Sequence, residues 1–308
     1  MVSISEQRLA QLVDREGEIK NFCSMLDDSD WPRPVMVIWG EGGMGKSSLL
    51  FRMIHECSLR KITKAEVTWT DIYNHDFLAV MRKIRDDVGA DKFSAFTKLV
   101  NYFFSDRSIR VDLRVDGAGT VGDGMAVGPN AQIGTMANVV FEKGSVVIKD
   151  QMETTPRGDV AINDTDRMVQ ITDQFISDLS AASANSRVVV FLDSTEKATD
   201  VTRRWFWSGL LEALNQGTLN NVQFVVCSRN QPMIDDRLKL LVDEERLGPL
   251  RQEHIAEYLS RLKIDLPAEA KALVVDTIWV TTQGNPLKIA ESANKLSRMC
   301  MRGDNCCV

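Results

Sequence analysis

The chain carries Gly40-Glu41-Gly42-Gly43-Met44-Gly45-Lys46-Ser47, a glycine followed by four residues and then Gly-Lys-Ser. The residues before it, Val35 to Trp39, form a short apolar run rich in β-branched side chains, which predicts a buried strand. The residues after it, Ser48 to Ile54, have the spacing of a helix with one apolar face. A strand that turns through glycines into a helix directs backbone N–H groups at a bound phosphate. We therefore expect a phosphate-binding loop; a glycine loop that only makes a turn is the alternative.

Two side chains at the end of this loop match the chemistry of a bound nucleotide. Lys46 is expected to reach the β- and γ-phosphates, and the Ser47 hydroxyl is expected to hold Mg²⁺. The other contacts that this segment predicts come from Gly42, Gly43, Met44, Gly45 and Ser48. The expected cofactors are therefore ATP or ADP, together with Mg²⁺.

Composition places the chain among ordinary globular proteins. Its 308 residues are 44% hydrophobic and 26% charged, which suits one large domain or two modest ones. The net charge of −6 argues against a general nucleic-acid binder, although a local basic patch is compatible with it. No apolar run approaches the ~20 residues of a membrane span, and the N-terminus has no apolar signal core. We therefore expect a cytoplasmic protein with no membrane partner.

The cysteines do not indicate a metal site. All six are scattered without a CxxC pair, and the three histidines are isolated, so no zinc-ligand spacing is present. Reduced thiols in a reducing compartment are the simplest interpretation.

Strand and helix patterns alternate along most of the chain, which predicts an α/β P-loop NTPase with a parallel sheet flanked by helices. The strand patterns lie at residues 35–39, 65–69, 188–192 and 222–227. From Arg251 onward only helical patterns occur, which predicts a C-terminal helical lid. The predicted division of the chain is an ATPase core in two parts, a glycine-rich β insert between them and the lid, at residues 1–108 and 151–250, 109–150, and 251–308.

Acidic residues follow the apolar strand at 188–192. Asp193 ends this strand, and a carboxylate at that edge of a parallel sheet lies beside a phosphate loop, where it can hold Mg²⁺. An ordinary strand-ending aspartate is the alternative. Glu196 is the candidate to orient an attacking water, because the position directly after Asp193 is Ser194. A plain surface glutamate is an equally good interpretation of Glu196.

A basic residue follows the next apolar strand. Arg229 comes directly after Ser228 at the end of the strand pattern 222–227. A guanidinium there can fork onto the γ-phosphate oxygens and so distinguish ATP from ADP. A solvated loop arginine is the alternative.

Further motifs accompany the phosphate loop in a fixed order. They are Leu12-Val13-Asp14-Arg15-Glu16-Gly17-Glu18, Phe191-Leu192-Asp193, Val225-Val226-Cys227-Ser228-Arg229 and Gly284-Asn285-Pro286-Leu287. Together with the double glycine at residues 42–43, this set resembles the STAND-type ATPases, signal-transduction ATPases with numerous domains that are related to NACHT, NB-ARC and AAA+ proteins. The resemblance covers about residues 8–108 and 165–298. The first motif has Asp14 where the family usually has glycine.

The resemblance implies a nucleotide switch. Arg15 and Pro286 would belong to the nucleotide site, with the proline packed near the adenine. ADP would hold the core and the lid closed, and exchange for ATP would open them for assembly. The partners implied are further copies of the chain and a sensor or effector protein in trans, because the chain has no repeat pattern of its own for a sensor.

Three functions remain open at the level of sequence. The first is a switch that binds ATP, hydrolyses it slowly and controls assembly or signalling, in bacterial defence by family resemblance. The second is a nucleic-acid-linked AAA+ ATPase of the origin-recognition or loader type, against which the acidic charge balance weighs. The third is a scaffold that binds nucleotide without hydrolysing it.

The predicted insert has a six-residue period. Aliphatic residues recur at Val115, Val121, Val127, Ile133 and Val139, separated by glycines and small residues. This spacing resembles the hexapeptide repeat of a left-handed β-helix, in which aliphatic side chains fill the corners. About two coils are too few to be stable alone, so stacking with copies on other chains is expected. A β-hairpin flap and a mobile glycine-rich loop are the alternatives.

Overall fold

The computed structural model describes residues 12–28, 31–70, 76–105, 164–264 and 266–301. The predicted insert at 109–150, including its six-residue repeat, lies outside these residues. Within the described part, no helix is both long enough and apolar enough to cross a membrane.

The core of the fold is a parallel sheet of five strands in the order β2-β3-β4-β1-β5. The strands are β1 (Val35–Trp39), β2 (Thr63–Thr68), β3 (Val188–Asp193), β4 (Val222–Ser228) and β5 (Val242–Arg246). The inner strands β1, β3 and β4 are almost entirely buried because helices cover both faces of a parallel sheet. The predicted α/β fold is confirmed. The strand β5 has no counterpart in the sequence prediction.

Ten α-helices lie in the described residues. They are α1 (Glu16–Asp27), α2 (Lys46–Leu59), α3 (Phe77–Val88), α4 (Ser94–Ser105), α5 (Asp164–Ser183), α6 (Asp200–Trp205), α7 (Leu211–Asn215), α8 (Gln252–Arg261), α9 (Ala268–Thr282) and α10 (Pro286–Met301). A π-helical stretch, Phe206–Leu210, joins α6 to α7. After Arg251 only helices occur in the described chain, as the sequence predicts for the lid.

The register of the sheet brings the ends of several strands to one edge. Trp39 at the end of β1 pairs with Ser228 at the end of β4 and with Arg246 at the end of β5. Thr68 at the end of β2 pairs with Asp193 at the end of β3. In an open α/β sheet, ligands bind outside the carboxyl ends of the strands. A ligand site is therefore expected at the loops after β1, β3 and β4.

Two apolar clusters hold the elements around this edge. One lies between the sheet and helices α1 and α2, with Phe22, Met36 and Met53 fully or almost fully buried. The other fills the lid, where Ile255 and Ile289 pack with Val13 from the N-terminal motif. Burial of side chains of this size is worth about 1.5–3 kcal/mol each. The N-terminal motif is thus attached to the lid through its own apolar side chain.

The chain divides into two compact units. The first comprises residues 1–97 and 171–308, and the second comprises residues 98–170. The structure describes residues 98–105 and 164–170 of the second unit, both helical. Within it, the Arg167 guanidinium lies 5.8 Å from the centroid of the Phe103 ring. The ring of Tyr102 meets that of Phe103 edge to face at 5.4 Å.

Candidate functional site

The loop after β1 has the form that binds phosphate groups. The strand ends at Trp39 and α2 begins at Lys46, with Gly45 in the left-handed region at φ 88°. Within the described residues, no side chain caps the first N–H groups of α2. These N–H groups and the positive end of the helix dipole form an anion-binding position that is open to a ligand.

The ammonium of Lys46 lies against this loop. Its Nζ donates to the carbonyl oxygens of Gly40, at 2.6 Å, and Glu41, at 2.9 Å. Burial lowers the pKa of Lys46 from its ordinary value of 10.5, because a charged group loses solvation there. A phosphate would restore a charged partner to this ammonium.

Ser47 and Asp193 meet at the edge of the sheet. The Ser47 hydroxyl donates to Oδ2 of Asp193 over 3.0 Å. A hydroxyl and a carboxylate are oxygen ligands of the kind that Mg²⁺ prefers, and Mg²⁺ commonly takes its remaining ligands from phosphates and water. In the described part of the chain, no group of three or more histidine, cysteine, aspartate or glutamate residues is arranged so that it could hold a metal ion. The pair therefore suits a metal ion that arrives with a phosphate ligand.

Glu196 and Arg229 form an ion pair beside this position. The Arg229 Nε lies 3.2 Å from Oε1 of Glu196, and the Arg229 backbone N–H donates to Oε2 over 3.1 Å. Glu196 lies in a short 3₁₀ helix, Thr195–Lys197, which follows Ser194 in the left-handed region at φ 61°. Its side chain is 17% exposed, whereas that of Arg229 is 60% exposed. Both carboxylate oxygens of Glu196 are thus engaged by Arg229, the residue that follows β4.

Arg15 is buried behind the phosphate loop. Its guanidinium donates to the backbone carbonyls of Asp14, at 2.6 Å, Gly248, at 3.0 Å, and Met44, at 3.3 Å. The sequence predicts a nucleotide contact for Arg15. The structure places the side chain in the wall of the cavity that the phosphate loop lines, with its donors directed at protein carbonyls.

Pro286 is the first residue of α10, and its neighbours touch the phosphate loop. The side-chain Nδ2 of Asn285 donates to the Gly42 carbonyl over 3.1 Å. The backbone N–H of Leu287 donates to the Gly43 carbonyl, also over 3.1 Å. The sequence prediction named Pro286 and missed Asn285 as a site residue. An asparagine before a proline at the start of a helix is a preferred cap, which signals the helix start and not the contact.

All of the predicted site residues surround one cavity of about 500 Å³. The polar part of its lining comprises residues 42–48 with Arg15, Asp193, Glu196 and Arg229. The apolar part includes Val13, Phe51, Leu250, Tyr258, Pro286 and Ile289. This volume and this division into polar and apolar walls fit a nucleotide, whose phosphates and base need opposite surroundings.

A second depression, of about 640 Å³, lies between β2 and α3. Its charged side chains form pairs, Lys64 with Glu66 at 2.7 Å and Lys83 with Asp87 at 2.5 Å. Because these charges neutralise one another, the depression does not have the features of a phosphate site.

Comparison with known proteins gives similarities of fold. No family model and no curated protein matches the chain. Among solved structures, Cdc6p from Pyrobaculum aerophilum is 14% identical, with 94% of this chain and 63% of that chain covered and a TM-score of 0.47. This chain thus spans less than two thirds of that protein.

Two further structures are similar in the same sense. A Walker-type ATPase of Pyrococcus abyssi is 14% identical over 98% of this chain and 70% of that one, with a TM-score of 0.47. A STAND protein with a tetratricopeptide repeat sensor from Pyrococcus horikoshii is 13% identical over 90% of this chain and 29% of that one, with a TM-score of 0.39. At these identities and TM-scores, none of the matches assigns a function to this chain.

Proposed function

We propose that this protein binds ATP and ADP with Mg²⁺ and acts as a slowly hydrolysing switch of the STAND type. The observation that supports this most directly is the shared cavity, which brings Lys46, Ser47 and Asp193 beside a helix N-terminus without a side-chain cap. The apolar walls supplied by the lid would receive the base, with Pro286 among them.

The polar residues have distinct roles in this proposal. Lys46 exchanges the carbonyls of Gly40 and Glu41 for oxygens of the β- and γ-phosphates, and the loop N–H groups bind the remaining oxygens. The Ser47 hydroxyl and the Asp193 carboxylate would hold Mg²⁺, which neutralises phosphate charge when it is bound. Each of these contacts is to the phosphate end of the ligand, which ATP and ADP share in part.

The pair of Glu196 and Arg229 is the reason to expect slow hydrolysis. Glu196 is the candidate base for the attacking water, but both of its carboxylate oxygens are bonded to Arg229. The Arg229 side chain would have to turn toward the γ-phosphate and release Oε1 of Glu196 before that oxygen could accept a proton from water. Only molecules in which Arg229 has released Glu196 would hydrolyse ATP. The rate of hydrolysis would therefore be low, whereas ATP binding would be unaffected.

In this proposal, the lid is the part of the protein that responds to the bound nucleotide. Helices α8 and α10 contribute walls to the cavity, so a bound nucleotide would contact the core and the lid together. A ligand shifts an equilibrium between two arrangements only through contacts that differ between them. ATP and ADP differ at the γ-phosphate, next to Arg229, and this is the contact by which the two would be distinguished.

Calorimetry on Lys46→Ala tests nucleotide binding. Loss of one charge-assisted contact in a partly enclosed site should weaken ATP binding by about 1.5–3 kcal/mol, roughly ten- to 150-fold. Lys20→Ala, at an exposed lysine on α1, is the matched control and should bind ATP as the parent does. Unchanged ATP affinity in folded Lys46→Ala would overturn the proposal.

Hydrolysis is measured on the same proteins. Asp193→Asn should weaken Mg²⁺-dependent binding, and Glu196→Gln should lower turnover while ATP still binds. A rate that is equal in Glu196→Gln and the parent would remove the base role and favour a non-hydrolysing scaffold. Strong stimulation of hydrolysis by double-stranded DNA would favour the nucleic-acid-linked alternative over the STAND-type switch.

A further inference from the structure

The carbonyl groups of the phosphate loop are all occupied. Those of Gly40 and Glu41 accept hydrogen bonds from Lys46 Nζ. The next three, at residues 42–44, accept from donors outside the loop and outside α2, and these donors are Asn285 Nδ2, the Leu287 N–H and the Arg15 guanidinium. The contacts span 3.1 Å, 3.1 Å and 3.3 Å respectively.

These bonds fix which way the loop N–H groups face. In a planar trans peptide, the C=O and the following N–H point to opposite sides. A donor that holds the Gly42 carbonyl on the lid side therefore directs the Gly43 N–H to the other side. An anion is bound by N–H groups that converge on it, and a rotated peptide would present a carbonyl oxygen instead. The orientation of the Gly42–Gly43 peptide thus matters for phosphate binding.

The lid lies close enough to enforce this orientation. A Cβ added at Gly43 would lie 2.7 Å from Oδ1 of Asn285 and 3.1 Å from Cβ of Leu287. The Gly43 backbone is in the left-handed region, with φ 83°. The loop and the start of α10 are therefore in contact through backbone and short side chains, with no space between them for another side chain.

One amide group connects the two elements. Asn285 Oδ1 accepts from the N–H groups of Leu287, at 3.1 Å, and Lys288, at 3.3 Å, which caps α10. Its Nδ2 donates to the Gly42 carbonyl. The same side chain thus orders the first turn of the lid helix and the loop that faces it.

We propose that Asn285 is a positioning residue, which holds the phosphate loop in its anion-binding orientation and makes phosphate affinity depend on the docked lid. This inference rests on the proposed nucleotide site. By linkage, a phosphate that needs the oriented loop also strengthens the contact between the loop and α10. A helix cap that serves α10 alone is the competing explanation, and it predicts no effect that is specific to phosphate.

Variants that keep the helix cap but lose the donor to the Gly42 carbonyl distinguish the two explanations. Asn285→Ser caps a helix well, but its hydroxyl is too short to reach the Gly42 carbonyl as Nδ2 does. Asn285→Asp keeps both the shape and the cap but has no donor at the Nδ2 position. The serine variant carries no added charge, so it separates loss of the donor from repulsion of phosphate. Asn215→Ser, at an exposed asparagine at the end of α7, is the matched control.

The experiment measures affinities for ATP, inorganic tripolyphosphate and adenosine on the full chain, with the melting temperature of each variant. We expect Asn285→Ser to bind ATP and tripolyphosphate about two- to thirteen-fold more weakly, as loss of one hydrogen bond predicts, and adenosine as well as the parent does. Asn285→Asp should weaken both phosphate ligands further. Asn215→Ser should leave all three affinities unchanged.

Three outcomes overturn the inference in distinguishable ways. Parent-like affinity of Asn285→Ser for tripolyphosphate would overturn the positioning role alone, because the parent still binds ATP. An equal loss for all three ligands, with a lower melting temperature, would assign Asn285 to the cap of α10. A parent protein that binds neither ATP nor tripolyphosphate would overturn the proposed function, and this inference with it.

Discussion

Asp14 shows how a departure from a motif is accommodated at a single residue. The resembled motif usually has glycine at this position, and Asp14 adopts φ 56°, the left-handed region that glycine enters freely. Aspartate is among the few other residues that adopt it. Its carboxylate lies 3.1 Å from Nδ1 of His254 on α8. The replacement therefore keeps the backbone conformation and adds a contact between the N-terminal motif and the lid.

The two adjacent glycines of the phosphate loop are predicted to differ in their tolerance of a side chain. At Gly43 a methyl group would meet Asn285 and Leu287 in a left-handed backbone, whereas at Gly42 no heavy atom lies within 4 Å of the added carbon. Gly43→Ala should lower the free energy of unfolding by about 1–3 kcal/mol through strain. Gly42→Ala should change it by about 0.5 kcal/mol or less.

Urea denaturation of the two variants checks this. Gly42→Ala is a close control for Gly43→Ala, because the two variants have the same total charge and change adjacent residues of the phosphate loop. Equal stabilities of the two variants would mean that α10 does not approach the loop as closely as the distances at Gly43 require.

Individual residues also mark the limit of what the sequence can predict about the site. The sequence could predict that Lys46, Ser47 and Asp193 lie close together, because Lys46 and Ser47 begin α2 and Asp193 ends β3 at the same edge of the sheet. Their roles in binding stay predictions. The contact of Asn285 with Gly42 joins residues 243 positions apart, and no local pattern encodes it. The buried Arg15 guanidinium likewise donates to the carbonyls of Met44 and Gly248, which are 29 and 233 positions away.

At the scale of elements, the sequence pattern predicts the inner strands and one edge strand, β2, but not the other edge strand, β5. β1, β3 and β4 are continuous apolar sequences because both of their faces are buried. β5 reads Val-Asp-Glu-Glu-Arg, with only Val242 buried. It is a strand because its backbone pairs with β1, and that pairing is a tertiary contact that overrides local propensity.

Helix α2 contains a charged group whose pKa has a predictable effect on stability. Glu56 is buried between Arg60, which donates to Oε2 over 2.5 Å, and Arg52, which donates to Oε1 over 2.6 Å. Burial acts to raise the pKa of Glu56, but the hydrogen bonds from the two arginines outweigh it, and the pKa lies below its ordinary value of 4.5. Because the native pKa is lowered, the ionised carboxylate stabilises the fold above pH 4.5, and this contribution is lost as pH falls through the native pKa.

Glu56→Gln should therefore lower the free energy of unfolding by about 1–3 kcal/mol at neutral pH, because one charge-assisted bond is lost. The difference from the parent should shrink as the pH is lowered below 4.5. Denaturation curves across this range measure it. Glu257→Gln on α8, which breaks an exposed pair with Arg261, is the control and should cost about 0.5 kcal/mol or less. A pH-independent difference for Glu56→Gln would contradict the assigned cause.

At the scale of the whole molecule, the six-residue repeat predicts self-association that is separate from nucleotide binding. Val127 and Ile133 occupy equivalent positions of the repeat. Replacing both with aspartate would put charge into an aliphatic stack, and each buried unpaired carboxylate costs several kcal/mol. We expect the double variant to bind ATP like the parent and to be smaller by light scattering. A particle of unchanged size would favour a flap or a loop over stacking.

The ion pair of Lys83 and Asp87 on α3 affects whether another molecule can pair with the edge of the sheet. Asp87 also accepts the backbone N–H of Glu66 over 2.9 Å, at one edge of the described sheet. The other edge, β5, presents the charged side chains of residues 243–246. Occupied amides and charged side chains at an edge discourage another strand from joining it, which is the usual route to fibres. Within the described residues, both edges of the sheet thus carry features that disfavour pairing with a strand of another molecule.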